Sequence, residues 1–221
     1  MKHTIVILYL ILLFRPVFVH AQEIPFIQEI RAFKQADSAI SPPRNAILFV
    51  GSSSFRLWKT IQEDFPGYTI INRGFGGSSL PDVIRFARDI IFPYQARQIV
   101  IYCGENDLAA SDTVTAEMVV DRFKTLFRLI RQQMPGVPVV YISIKPSPSR
   151  ERLLPKVMAA NEGIRKFMRH KKQTRFGDVF HLMTDKNGKI NRDIFVEDRL
   201  HMNRQGYEIW KKAITPYLLK D

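Results

Sequence analysis

Ser52, Ser53 and Ser54 stand in a row after Gly51, where the apolar run 46–50 stops. A serine hydroxyl attacks a carbonyl only when a neighbouring base takes its proton. The segment Asp198-Arg199-Leu200-His201 offers such a base. An aspartate three residues ahead of a histidine can accept from one ring nitrogen and leave the other free to receive a proton. Two further clusters could hold the negative charge that builds on an attacked oxygen. Asn72-Arg73-Gly74-Phe75-Gly76-Gly77 is glycine-rich, and Gly104-Glu105-Asn106-Asp107 supplies a side-chain amide. Nucleophile, base, orienting acid and oxyanion donors are the parts of an ester-cleaving site.

Each part also has an ordinary structural reading. Three serines suit a turn followed by a helix cap. The glycines suit a sharp turn, or half a dinucleotide loop whose full spacing is missing. Asp198 could cap a helix, and Asn106 could bridge loop backbone. Of the five histidines, His170 lies in a basic helix end, and His181 reads as a packed, hydrogen-bonded residue within a strand. Cys103, the single cysteine, reads as a small buried side chain, with a thiol partner for His201 as the alternative.

What separates the two readings is whether the elements bring these residues together. Short apolar runs without polar alternation occupy 46–50, 68–72, 98–103 and 137–144, and a fifth is expected at 179–183. Such runs suit strands covered on both faces. Helical spacing appears at 23–39, 55–64, 81–91, 115–133, 154–170 and 204–219. Alternation of strand and helix implies an α/β fold: a doubly wound, mainly parallel five-stranded sheet with helices on both faces. Ligands of such sheets bind beyond the carboxyl ends of the strands. The serines follow the first strand, the glycines the second and Asn106 the third, so all three clusters should meet on one edge.

Four blocks in this order resemble those of the SGNH hydrolases, also called GDSL esterases and lipases. Gly51-Ser52-Ser53 is similar to the family's Gly-Asp-Ser, with Ser52 in place of the aspartate. Gly104-Glu105-Asn106-Asp107 and Asp198 to His201 match its third and last blocks. The resemblance runs from about Asn45 to the final helix and implies a flavodoxin-like SGNH fold. It implies a catalytic set of Ser53, Asp198 and His201, and an oxyanion hole from the N–H groups of Ser53 and Gly77 with the Asn106 amide. It implies no cofactor and no metal. The consecutive serines leave the choice among Ser52, Ser53 and Ser54 to block position, which favours Ser53.

The implied activity is hydrolysis of carboxylic esters through an acyl-enzyme, with short acyl (O-acetyl) groups on glycans or small esters as the expected substrates. The alternatives are a lysophospholipase or thioesterase with a longer acyl groove, or a non-catalytic glycan-binding module on the same scaffold. Residues 1–21 read as a secretory leader: a basic start, an apolar stretch interrupted by Arg15, and a small residue at Ala21. Residues 22–221 then form one domain, secreted or periplasmic, touching the membrane only through that leader before cleavage. An uncleaved anchor is the alternative. The net charge of +12 could attract anionic polymers, but solvated lysines and arginines on helix faces account for it, and no nucleic-acid motif is present. Lys145, Arg150 and Arg152, in the loop after the fourth strand, are expected to be solvated too, with recognition of an anionic group as the alternative.

Overall fold

Four of the apolar runs contribute strands that pair side by side with a fifth segment, all in one direction. The computed structural model describes residues 24–220, and the leader expected at 1–21 lies outside them. The first half of the chain runs α1 (Ile27–Ala39), β1 (Ile47–Gly51), α2 (Ser53–Arg56), α3 (Ile61–Asp64), β2 (Ile70–Gly74), α4 (Leu80–Arg85), α5 (Ala87–Ile90) and β3 (Gln98–Tyr102). It continues α6 (Glu105–Ala110), α7 (Ala116–Gln133), β4 (Val139–Ile142), α8 (Leu154–Arg169), β5 (Thr174–Gly177) and α9 (Arg204–Ile214). The strand order is β2-β1-β3-β4-β5, and every pairing is parallel.

The three central strands are buried along their whole length, which is why they lack polar alternation. Their side chains still alternate between two cores. Leu48 and Val50 face α1, α4, α5, α7 and α8, while Ile47 and Phe49 face α2, α3 and α9. Helix α7 shows how periodicity becomes packing: Val119, Phe123, Leu126, Phe127 and Ile130 all lie in the first core. Burying one such side chain stabilises by about 1.5–3 kcal/mol relative to exposing it.

Some expected elements differ. The fifth strand is not 179–183 but Thr174–Gly177, an edge strand in which only Thr174 and Gly177 are buried. Val179 and Met183 are buried because they lie one helical turn apart, with the Met183 N–H donating to the Val179 carbonyl at 3.2 Å. His181 consequently faces solvent instead of packing within a strand. The helices read at 55–64 and 81–91 are each split in two, the first because Trp58 turns into the core. Helix α6 lacks a long apolar face and was not legible from spacing. The last helix ends at Ile214, ahead of a short 3-10 turn containing Pro216.

Helix α9 is fastened to the segment after β1. The buried Asp64 carboxylate accepts from Trp58 Nε1 at 2.7 Å, Thr60 Oγ1 at 2.7 Å, and Arg204 Nη1 and Nη2 at 2.7 and 2.6 Å. Trp210 packs edge-on against Phe55 and Tyr102, and Tyr207 donates to the Ser54 carbonyl at 2.9 Å. Burial opposes the charge on Asp64, but the hydrogen bonds from Arg204, Trp58 and Thr60 outweigh it and hold the carboxyl well below its usual range. A depressed carboxyl pKa stabilises the fold above the unfolded value of about 3.9, and that contribution drains away as pH falls toward the folded value. Asp64→Ala should therefore lower unfolding free energy in urea by about 3 kcal/mol near neutral pH. The gap to the unaltered protein should narrow below about pH 4; a gap that widens in acid would contradict this account.

Candidate active site

Strand β1 ends in a turn that only glycine permits. Gly51 has φ +142°, and a Cβ there would stand 1.9 Å from the Tyr102 carbonyl oxygen. The chain then reverses into α2, a single turn of helix that starts at Ser53. Ser52 and Ser54 are each only 3% exposed, whereas Ser53 is half-buried and faces the surface. Burial thus separates three residues that spacing alone could not. With one turn of helix behind it, the dipole at Ser53 is small; what counts locally is its own N–H group, which is donated to nothing among the described residues.

Ser53 Oγ lies 2.8 Å from His201 Nε2. His201 Nδ1 lies 2.6 Å from Asp198 Oδ2, and Asp198 Oδ1 accepts the N–H groups of Leu200 and His201, both at 2.8 Å. The turn that curls Asp198 back to the ring passes through Arg199 at φ +54°. Burial again raises the cost of the Asp198 charge, but the hydrogen bonds from the His201 N–H and ring and the Leu200 N–H prevail, lowering its pKa to about 2. The carboxylate therefore stays ionised across the range in which an imidazole serves as base, and it holds the Nδ1 proton so that Nε2 faces the serine.

The same local motif occurs a second time. His181 Nδ1 lies 2.5 Å from Asp178 Oδ2, and the His181 N–H donates to Asp178 Oδ1 at 3.2 Å. This pair is exposed, and no serine hydroxyl is bonded to its imidazole among the described residues. Asp-x-x-His makes an oriented imidazole; the fold decides which one meets a serine hydroxyl.

The glycine-rich loop after β2 is stitched to the β1 turn. The Gly51 carbonyl accepts from the Phe75 N–H at 3.0 Å and Ser78 Oγ at 3.1 Å, and the Gly76 N–H donates to Glu29 Oε2 of α1 at 3.0 Å. Gly77 is exposed, and its N–H is donated to nothing among the described residues. A Cβ at Gly77 would stand 3.8 Å from Asn106 Nδ2, so the two donors are neighbours. Asn106 Nδ2 lies 2.7 Å from Ser52 Oγ and 3.0 Å from the Ser78 carbonyl. Asp107, beside it, accepts from the Leu80 N–H at 2.9 Å and Arg122 Nη1 at 2.8 Å, tying the third block to the start of α4. Ser53, Gly77, Asn106, Asp198 and His201 thus converge on one edge of the sheet. Cys103 does not join them: it is fully buried against the Ser78 carbonyl, and burial pushes its thiol up.

Behind Asn106 lies a group of charges that sequence reasoning placed in solvent. Lys145 is 1% exposed, and its Nζ lies 2.8 Å from Glu105 Oε2. Glu105 also accepts from Tyr102 and Ser147, and Arg150 Nη1 stands 3.5 Å from its Oε1. Burial opposes the Glu105 charge, yet Lys145 and Arg150 outweigh it and lower its pKa. Arg150 Nη2 donates to Asn106 Oδ1 at 2.9 Å. Only Arg152 behaves as expected, an exposed partner of Asp112. The available signal was position: Lys145 directly follows an apolar strand, and Glu105 fills the variable place in Gly-x-Asn-Asp. No three His, Cys, Asp or Glu side chains among the described residues are grouped to hold a metal ion.

Comparison with known proteins points the same way. Residues 49–209 match the model of the GDSL-like lipase/acylhydrolase family. The chain is 26% identical over 195 residues to platelet-activating factor acetylhydrolase IB subunit alpha1 of Bos taurus, covering 84% of this chain and 79% of that one. A GDSL-like lipase from Bacteroides thetaiotaomicron superposes with a TM-score of 0.72 at 19% identity, over 85% of this chain and 96% of that one. A catalytic serine-to-alanine mutant of an acetylxylan esterase from Geobacillus stearothermophilus superposes with a TM-score of 0.63 at 11% identity, over 78% of this chain and 93% of that one. Sheet order, block order and family match agree, and the chain belongs to the GDSL-like lipase/acylhydrolase family of the SGNH hydrolase superfamily.

Proposed function

We propose that the protein is a serine esterase that removes short acyl groups, O-acetyl above all, from glycans or small esters. The observation that carries the reading is the 2.8 Å contact between Ser53 Oγ and His201 Nε2, continued to Asp198 through Nδ1. Ser53 Oγ attacks the ester carbonyl as its proton passes to His201 Nε2. The N–H groups of Ser53 and Gly77 and the Asn106 amide receive the oxyanion. The protonated imidazole gives its proton to the leaving alcohol; His201 then takes a proton from water as it attacks the acyl carbonyl and returns it to Ser53 Oγ as the acyl–oxygen bond breaks, releasing the acid.

A short acyl group is favoured by the company the chain keeps. The Bos taurus relative carries acetylhydrolase in its name, and the Geobacillus stearothermophilus neighbour is an acetylxylan esterase. The retained, fully connected Ser53–His201–Asp198 chain speaks against a silent binding module. Export rests on the leader-like composition of residues 1–21.

Three outcomes follow for the purified protein. With 4-nitrophenyl acetate, Ser53→Ala should reduce kcat by about 10⁴-fold or more with an unchanged thermal melt, while Ser52→Ala and Ser54→Ala stay active; undiminished turnover by Ser53→Ala would remove the nucleophile assignment. Across nitrophenyl esters of increasing chain length, kcat/KM should drop steeply beyond short chains, and a rise toward octanoate or longer would favour the lysophospholipase reading. Mass spectrometry of the exported protein should find a mature amino terminus near Gln22; a full-length chain retained at the membrane would replace the leader with an anchor.

A further inference from the structure

Asn106 can serve an oxyanion only if its amide presents nitrogen, not oxygen, to the negative charge. A primary amide is nearly symmetric in shape, so packing does not choose between its two orientations. The choice falls to the hydrogen-bonding groups around it. Both Nδ2 protons are engaged, one by Ser52 Oγ and one by the Ser78 carbonyl, so the amide proton on Ser52 is the one that turns to the oxyanion. A hydroxyl both donates and accepts, so Ser52 satisfies either end of the amide and does not decide its orientation. An aspartate there, as in the Gly-Asp-Ser pattern, would accept only and would select the nitrogen by itself. The substitution at position 52 therefore removes one selector.

Two groups with fixed polarity remain. The Ser78 carbonyl accepts from Asn106 Nδ2 at 3.0 Å, and Arg150 Nη2 donates to Asn106 Oδ1 at 2.9 Å. A reversed amide would face the guanidinium with N–H groups and the carbonyl with its oxygen, two repulsive contacts at once. Of the two groups, Arg150 is the stronger selector, because a hydrogen bond from a charged donor is roughly twice as strong as a neutral one. The guanidinium is itself held from behind by Glu105, which is 6% exposed and is braced by Lys145, Ser147 and Tyr102. Arg150 Nη1 is buried and makes no hydrogen bond; it meets Glu105 Oε1 through charge alone at 3.5 Å, which leaves Nη2 as the guanidinium nitrogen aimed at the amide.

We infer that Arg150 is a positioning residue that locks the Asn106 amide with its nitrogen toward the oxyanion and polarises it. The inference rests on the esterase reading above. It places the buried Glu105–Lys145–Ser147 group in a definite role: a fixed platform that aims one guanidinium at one carbonyl oxygen. Because the lock acts on the charge that appears in the transition state, its loss lowers kcat and leaves ester binding nearly intact.

A double-substitution cycle with 4-nitrophenyl acetate tests it. Asn106→Ala should reduce kcat by about 10²–10³-fold, the usual loss for one oxyanion donor. Arg150→Ala should reduce kcat at least ~10-fold and no further than that donor loss, with KM within about twofold. In the Asn106→Ala background, removing Arg150 should cost less than about twofold more, because the amide it aims is already gone. Arg150→Lys, which restores a charged donor, should recover part of the lost kcat and also serves if Arg150→Ala does not fold. Losses that multiply in the double variant, a change confined to KM, or no recovery in a folded Arg150→Lys would overturn the inference. The esterase reading is judged apart from it: if the unaltered protein is inactive, or Ser53→Ala is active, that reading fails first.

Discussion

The site depends on how α9 is held. His201 sits just ahead of this helix, and its Nε2 is the atom that meets the Ser53 hydroxyl. What brings the ring within 2.8 Å of the hydroxyl is the clamp one turn further on. Arg204 grips Asp64, Tyr207 reaches the Ser54 carbonyl, and Trp210 fills the space between Phe55 and Tyr102. The aromatic packing supplies non-directional burial, and the Asp64 contacts supply direction. An exposed ion pair contributes little, but Asp64 is buried with donors on both oxygens, so its partners cannot slip without leaving a charge unsatisfied.

Polar contacts behind the site follow a different logic. Lys145 and Glu105 are both removed from water, and a buried pair of this kind offers small net stability against well-packed apolar residues. Its value lies in geometry. Tyr102 at the end of β3 and Ser147 and Arg150 after β4 all converge on one carboxylate, so the loop after β4 is tied to the end of β3 and to the residue adjoining Asn106. Asp107, on the other side, ties the same loop to α4 and α7 through Leu80 and Arg122. The first turn of α6, which carries the amide, is thus fixed from both flanks.

Much of this was legible in the residue order. Continuous apolar runs identified β1, β3 and β4, because strands covered on both faces have no polar side to reveal; β2, a half-buried edge strand, lies at Ile70–Gly74, two residues later than its run. The third and last blocks singled out Asn106, Asp198 and His201 by residue type, and the fold brings them to the sheet edge where Ser53 lies. The failures share a cause. β5 is an edge strand of four residues with little buried, so it carried no apolar run, while Val179 and Met183 imitated one from a helical turn. His181 beside Asp178 repeats the motif of the candidate site, and only long-range packing separates the two. Lys145 and Arg150 read as solvated because a charged side chain shows its burial only when its partner, Glu105, is known to lie beside it. The role of Ser52 against Asn106 was likewise hidden, being a contact across 54 positions.

The 148 positions between Ser53 and His201 bear on the order of events during synthesis. The hydroxyl, the glycine loop and the amide all emerge well before the imidazole, and closing so long a chain segment is slow relative to forming local helices. A growing polypeptide therefore carries a hydroxyl with no proton acceptor until its final stretch has emerged and α9 has docked. The contact between Ser53 and His201 is thus among the last of the fold to form.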